Sequence, residues 1–367
     1  MKIGILTHYN VYNLGAQLQL SAMRHYLEDL GHQPVVLTYE KNFDFLEGEK
    51  EKNSASLKAL PYYFKHYLVE KGPGLTLFNV RKVRALQAGM KRYAYAPYND
   101  QDCDAIVIGS DEVFSIDVGC NPMMYGHGIE STPKIAYAPA FGRTTIALLK
   151  EYGCYDLVQS GLQKMEYLSA RDLHTQEMIR ELTGREVPLI CDPVLLYDGH
   201  GFHCTHPGIR GDYMVIYAYD CNMTDPAEVT ALKAYAKKHR LTTVSLGTYH
   251  SWCDENLVCD ADSWYSLFAG AKCVVTDTFH GSVVAMKNHC NAAVFIRESI
   301  NAFKLRSLLE ETGMTERRLE RITEAELERV LSKSTDYART DERLAAMAEQ
   351  SGAYLRSALD EIRAKSV

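Results

Sequence analysis

An acid, a hydroxyl and a histidine stand together in Asp277-Thr278-Phe279-His280-Gly281, directly after the apolar run Cys273 to Thr276. Polar groups just past the carboxyl end of a buried strand sit where open α/β sheets bind ligands. A helix starting near His280 would aim its free N–H groups at the same place, which suits an anion. The pattern recurs. Gly109-Ser110-Asp111 follows Asp104 to Ile108, and Arg171-Asp172 follows Tyr167 to Ala170. A guanidinium there can hold a carboxylate or phosphate in a two-pronged grip. Near the start, Asn13 and Gly15 lie where a helix N-terminus can face a phosphate or a sugar. Each residue also has a purely structural reading. Asp277, Thr278, Asp111 and Asn13 are all competent helix caps. Gly15 gives room for a close turn, and Arg171 can pair with Asp172 or a neighbour.

The elements that must hold these residues follow from periodicity. Cys273–Thr276, the helical stretch Ser282–Lys287 and the apolar run Ala292–Ile296 make a βαβ unit. Lys2–Thr7 reads as a strand, followed by a helix with Leu14, Leu18, Ala22, Tyr26 and Leu30 on one face, a stop at Gly31, and a strand at Pro34–Tyr39. This opening is Rossmann-like, but its loop, N-V-Y-N-L-G-A, lacks the dinucleotide fingerprint. Helices are expected at Leu57–Val69 and Phe78–Tyr93, joined by Lys71-Gly72-Pro73-Gly74, and strands at Asp104–Ile108, Lys134–Ala138 and Val187–Cys191. The Gly-, His- and Pro-rich Asp198–Asp212 reads as a linker. A second α/β pattern then runs through Tyr213–Tyr219, a helix from Asp225-Pro226 to His239, Thr242–Leu246 and Ser263–Ala269. From Asn301 the chain reads as helical, ending in an amphipathic helix over Asp341–Ile362.

At 367 residues, 46% hydrophobic and 24% charged, the chain suits two globular domains of about 150 residues each. A net charge of −7 without a long basic run argues against a general nucleic-acid binder. The N-terminus lacks a signal-peptide core, and no apolar segment reaches the roughly 18 residues of a membrane span. The ten cysteines form no C-x-x-C pair and read as reduced cytosolic thiols, several of them core residues. His200, His203, Cys204 and His206 cluster in the linker, a conceivable but unassigned metal site. The aromatic cluster Tyr62, Tyr63, Phe64, Tyr67 reads as packing, or as a surface for a partner in an oligomer.

Taken in order, several blocks resemble the polysaccharide pyruvyl transferases. They are Y-N-L-G-A-Q-L-Q at 12–19, D-A-I-V-I-G-S-D-E-V-F at 104–114 and I-A-Y-A-P-A-F-G at 135–142, then L-S-A-R-D at 168–172, D-P-V-L-L at 192–196 and V-V-T-D-T-F-H-G at 274–281. With the helical tail, the resemblance covers nearly the whole chain. It implies an α/β fold of two Rossmann-like domains facing a cleft, similar to glycosyltransferase-B enzymes, with the C-terminal helices packing back on the first. The corresponding spans are 1–197, 212–300 and 301–367.

The resemblance also implies transfer of a pyruvyl group from phosphoenolpyruvate to sugar hydroxyls, giving a cyclic ketal, in the cytoplasm and without cofactor or metal. Its partners would be phosphoenolpyruvate and a saccharide acceptor, with peripheral contact to membrane-linked glycan precursors of the cell envelope. The chemistry needs an acid for the enol carbon, for which His280 is the candidate, and a carboxylate for the acceptor, for which Asp111 is. Asn13, Gly15, Ser110, Arg171, Asp277, Thr278 and Gly281 are the candidate binding residues, with Asp277 weighted toward a structural role. Two departures stand out. Thr278 replaces an Arg found in some members, leaving Lys272, Lys287, Arg297 or Arg143 to compensate. Pro139-Ala140-Phe141 replaces the commoner Ala-Ser-Phe. A glycosyltransferase with a nucleotide-sugar donor, or a non-catalytic protein of a polysaccharide-assembly complex, are the competing readings.

Overall fold

Short apolar runs build two sheets. The computed structural model describes residues 1–40, 72–99, 102–117, 119–206, 208–297 and 302–365. In the first sheet, β1 (Lys2–Leu6), β2 (Gln33–Thr38), β3 (Tyr95–Pro97), β4 (Ala105–Ile108) and β5 (Lys134–Ala136) lie in the order β3-β2-β1-β4-β5. In the second, β6 (Tyr213–Tyr217), β7 (Thr242–Leu246), β8 (Glu255–Leu257), β9 (Cys273–Thr276), β10 (Ala292–Phe295) and β11 (Arg318–Leu319) lie in the order β11-β10-β9-β6-β7-β8. Every pairing in both sheets is parallel. Parallel strands are covered on both faces, and β4, β6 and β9 are accordingly buried at every position.

Alternation along the strands sorts side chains into separate cores. Ala105 and Val107 of β4, Val215 of β6 and Val274 of β9 enter one core shared by both sheets. Ile106 and Ile108 face a second core on the outer side of the first sheet. Met214, Ile216 and Val275 face a third, outside the second sheet. The shared core is completed by the Leu14–Asp29 helix and by Leu355, Ala358, Leu359 and Ile362 of the Tyr337–Lys365 helix. That last helix also bonds the first half directly. Tyr354 donates to the Ala136 carbonyl at 3.2 Å, and Ser351 Oγ accepts from Cys191 N–H at 2.8 Å. The expected two facing α/β halves with C-terminal helices packed back on the first are thus present.

Several details differ from the sequence reading. The strand expected at Val187–Cys191 is reduced to a single bridge, Ala170 to Leu189, and Tyr167 in the segment before Arg171 likewise makes only a bridge, to Ile135. Cys191 N–H is taken by the C-terminal helix instead of a neighbouring strand. The helix expected at Phe78–Tyr93 spans Gly72–Met90, so Gly72-Pro73-Gly74 of the expected joint form its first turn. The tail is not wholly helical, since β11 joins the second sheet. The Leu57–Val69 helix and the Tyr62–Tyr67 cluster lie outside the described residues.

Strand order positions the site. Connections leave in opposite directions on either side of the β1–β4 pair, and likewise of the β6–β9 pair. At such switch points a crevice opens beyond the strand ends. His8 and Asp111 follow β1 and β4, while Tyr219 and the Asp277–His280 run follow β6 and β9. The two helices leaving these points, Leu14–Asp29 and Phe279–Lys287, meet near their N-termini. A methyl group added to Gly15 would lie only 2.3 Å from His280 Nδ1.

Candidate active site

Four charged residues from distant parts of the chain converge at this junction. Arg171 Nη1 lies 3.2 Å from Asp192 Oδ2 and 3.6 Å from Asp111 Oδ1. His280 Nε2 lies 3.5 Å from the same Asp192 oxygen, close enough for an ion pair but without the alignment of a hydrogen bond. Ser110 Oγ contacts that oxygen at 3.3 Å and donates to the Ala138 carbonyl at 3.0 Å. Asp192 is fully buried, Arg171 is 10% exposed, and His280 and Asp111 are 15% and 24% exposed. The two outer members are therefore the ones a ligand can reach.

Local backbone explains how each is presented. Asn13 caps the Leu14–Asp29 helix, its Oδ1 accepting from Gly15 and Ala16 N–H. Thr278, not Asp277, caps the Phe279–Lys287 helix, accepting from Gly281 N–H at 3.0 Å. Gly281 is required for space, because a Cβ there would lie 2.4 Å from Thr276 Oγ1 and 2.6 Å from Thr278 Oγ1. Asp111 and Ala138 both have left-handed backbone, φ 70° and 47°. Such conformations are costly for non-glycine residues and cluster where a site needs a side chain aimed against local preference.

Electrostatics favour ionised carboxylates in the cluster. Burial pushes the Asp192 carboxyl up, but His280, Arg171 and the Val194 N–H outweigh it and hold it at about 2. Burial likewise raises Asp111, and Arg171, His280 and His8 together bring it below its ordinary value. Burial would lower Arg171, yet Asp111 and Asp192 hold it above its ordinary value. Asp277 goes the other way. Burial raises it, and neither Arg297 at 2.6 Å nor Asn222 at 2.8 Å reverses the shift. Asp277 Oδ1 is buried without a hydrogen-bond partner.

Most of the residues singled out in the sequence do gather. Asn13, Gly15, Ser110, Asp111, Arg171, Thr278 and His280 lie at or beside the junction, whereas Asp277 faces away into Asn222 and Arg297. Arg171, expected to grip a ligand, is engaged by two carboxylates of the protein itself. The cations considered as replacements for a missing Arg at Thr278 are also engaged. Lys272 pairs with Asp212, Arg143 with Asp117, and Arg297 with Asp277 and Glu228, while Lys287 donates to the Leu195 and Tyr197 carbonyls. Sequence reasoning missed Asp192 as a site residue, although it opens the D-P-V-L-L block at 192–196. It also missed His8 and the pair Lys304–Glu112, 2.6 Å apart.

Two cavities flank the region. One, of about 600 Å³, lies beside Asp220, Tyr249 and Trp252 and touches none of the four charged residues. The other, about 580 Å³, adjoins Arg171, Asp192 and Phe279 and runs between the Ala302–Thr312 and Tyr337–Lys365 helices. The second lies nearer the charged cluster, on the side of Arg171 and Asp192, and neither is lined by His280, Asp111 or Gly15. Among the described residues, no group of three or more His, Cys, Asp and Glu is gathered to hold a metal ion. His200 pairs with Asp198 and Asp29 instead, and His206 Nδ1 accepts from Gly208 N–H. Among the same residues, no helix is long and apolar enough to cross a membrane.

Comparison with known proteins gives a family and a fold. A family model described as polysaccharide pyruvyl transferase matches residues 13–299. No curated protein matches the sequence. Among solved structures, Arabidopsis thaliana UGT89C1 complexed with UDP aligns at 12% identity and TM-score 0.51, covering 100% of this chain and 99% of that one. The glycosyltransferase SnogD from Streptomyces nogalater aligns at 12% identity and TM-score 0.46, covering 99% of both chains. Methanocaldococcus jannaschii UDP-GlcNAc 2-epimerase, in complex with UDP-GlcNAc and UDP, aligns at 11% identity and TM-score 0.43, covering 95% of this chain and 100% of that one. At 12% identity the likeness to UGT89C1 is one of fold, the glycosyltransferase-B arrangement of two facing α/β halves.

Proposed function

Because the chain belongs to the polysaccharide pyruvyl transferase family, we propose that it moves a pyruvyl group from phosphoenolpyruvate to two hydroxyls of a saccharide, forming a cyclic ketal. The observation that supports this most is the meeting of Asp111, Arg171, Asp192 and His280 where the switch points of both sheets face each other. On this reading residues 1–197 and 212–300 are the two lobes, and 301–367 closes the structure behind them. The use of phosphoenolpyruvate places the reaction in the cytoplasm.

The chemistry assigns one task to each exposed group. His280 as imidazolium gives a proton to the methylene carbon of the enol phosphate, making C2 electrophilic. One saccharide hydroxyl adds to C2 and passes its proton to Asp111. The C2–O bond to phosphate then breaks, inorganic phosphate leaves, and the second hydroxyl closes the ketal. One of the two hydroxyl protons is balanced by that placed on the methylene carbon, and the other leaves with phosphate. The donor's carboxylate and phosphate are met by those first-turn N–H groups of the two facing helices that Asn13 and Thr278 do not cap, and by the His280 cation, since Arg171 already balances two carboxylates.

Two measurements test this. Phosphoenolpyruvate is expected to raise the melting temperature where nucleoside diphosphates do not, and phosphate release should require a saccharide acceptor. Stabilisation by a nucleoside diphosphate alone would favour a nucleotide-sugar donor instead. Gly15 gives a sharper check. In Gly15→Ala the new methyl would fall 2.3 Å from His280 Nδ1 and 2.6 Å from its Cγ, so the ring must swing aside. Turnover should fall roughly tenfold or more with little change in stability, because displacement by an ångström misplaces the transferred proton. Unchanged turnover in a folded Gly15→Ala protein would remove His280 Nδ1 from the reaction.

A further inference from the structure

Asp192 is the one member of the charged cluster with no exposure to solvent, yet it touches Ser110, Arg171 and His280. Its Oδ1 accepts from Val194 N–H at 2.9 Å, fixing the carboxylate on the first turn of Pro193–Leu196. Its Oδ2 then faces Ser110, Arg171 and His280 together. Of these only His280 comes from the second half. The Phe279–Lys287 helix is pinned at its other end to the same segment, because Lys287 donates to the Leu195 and Tyr197 carbonyls. The stretch 192–197 thus lies along the helix that carries His280 and holds it at both ends.

The two imidazole nitrogens face different surroundings. Nε2 points toward Asp192, and Nδ1 lies over Gly15, the position where a side chain is missing. Other charged groups also bear on the ring: Asp111 and Arg171 from the first half, and His8 beyond Asp111. Asp111 is partly exposed and free to exchange protons with a ligand, whereas Asp192 is sealed. Nε2 is buried and has no hydrogen-bond partner, so the negative Asp192 oxygen 3.5 Å away acts on it through charge alone, favouring a proton on that nitrogen and leaving the opposite one to do the chemistry.

We propose that Asp192 is the positioning residue for His280, holding a proton on Nε2 so that Nδ1 is the nitrogen that exchanges protons with a ligand in the crevice beside Gly15. Its relevance to turnover rests on the pyruvyl-transfer reading, but its geometry does not. In that reaction the imidazolium would release its Nδ1 proton and remain as the Nε2–H form, already oriented by Asp192.

Long-range proton–nitrogen NMR spectra of the ligand-free full chain test the proposal without any substrate. The His280 signals are those that disappear in His280→Gln. The neutral ring is expected as the Nε2–H tautomer in the native protein and to lose that preference in Asp192→Asn, whose amide can offer N–H to the same nitrogen. With phosphoenolpyruvate and an acceptor, Asp192→Asn should lower kcat at least thirtyfold while KM for phosphoenolpyruvate stays within threefold, and Asp192→Glu should recover part of the loss. An Nδ1–H tautomer in the native protein overturns the proposal, as does a folded Asp192→Asn variant with native kcat. Should Asp192→Asn fail to fold, the native tautomer alone decides. Should phosphoenolpyruvate prove not to be a substrate, the tautomer still decides while the pyruvyl-transfer reading falls.

Discussion

His280→Gln is expected to lower kcat for phosphate release from phosphoenolpyruvate by about 10²–10⁴-fold, the usual worth of a positioned general acid. The effect should fall on kcat far more than on KM, since the proton is transferred only as the transition state forms. Folding should survive. Asp192 loses the imidazole at 3.5 Å but keeps Arg171 at 3.2 Å, Ser110 and the Val194 N–H, so no buried carboxylate is stranded. Glutamine also fills much of the space beside Gly15. Phosphate release assayed beside thermal unfolding separates the two effects. A variant that folds and retains a third of native turnover would leave the reaction without its acid.

Local features of the site were legible because they depend on neighbours in sequence. An apolar run that stops at a polar residue marks a strand end, and Ser110, Asp111 and the Asp277–His280 run do follow the ends of β4 and β9. Capping was readable as well, although the choice between Asp277 and Thr278 was not. Thr278 Oγ1 reaches Gly281 N–H, whereas Asp277 is drawn toward Arg297 and Asn222, partners that no local pattern announces. Asp192 was missed for the same reason. Its partners Ser110, Arg171 and His280 come from three separate segments, and only the packed fold brings them to one oxygen. Val187–Cys191 has a strand's composition, but its backbone groups meet Ser351 of the C-terminal helix and a single bridge. Apolar character shows burial. It does not show which partner supplies the hydrogen bonds.

Arg171 shows how the partners of a residue set its expected role. An arginine free to grip a ligand would, on removal, weaken binding and leave stability intact. One already shared between Asp111 and Asp192 would, on removal, leave two carboxylates short of their counter-charge inside the protein. Arg171→Met, which keeps much of the volume, is therefore expected to cost about 3–5 kcal/mol in urea unfolding at neutral pH. The pH dependence gives the cause. Asp192 sits at about 2 in the folded protein, below its ordinary value of 3.8, so its ionised form stabilises the fold above that ordinary value and the contribution is lost as pH falls toward 2. Without Arg171 both carboxylates take up protons more readily in the folded state, and the variant has less of this contribution to lose. The stability gap between native protein and variant should be full at neutral pH and narrow as pH falls through roughly 4 toward 2. A gap constant across that range would mean that Arg171 stabilises the fold by packing, with Phe279 beneath its guanidinium at 5.7 Å, and not by charge.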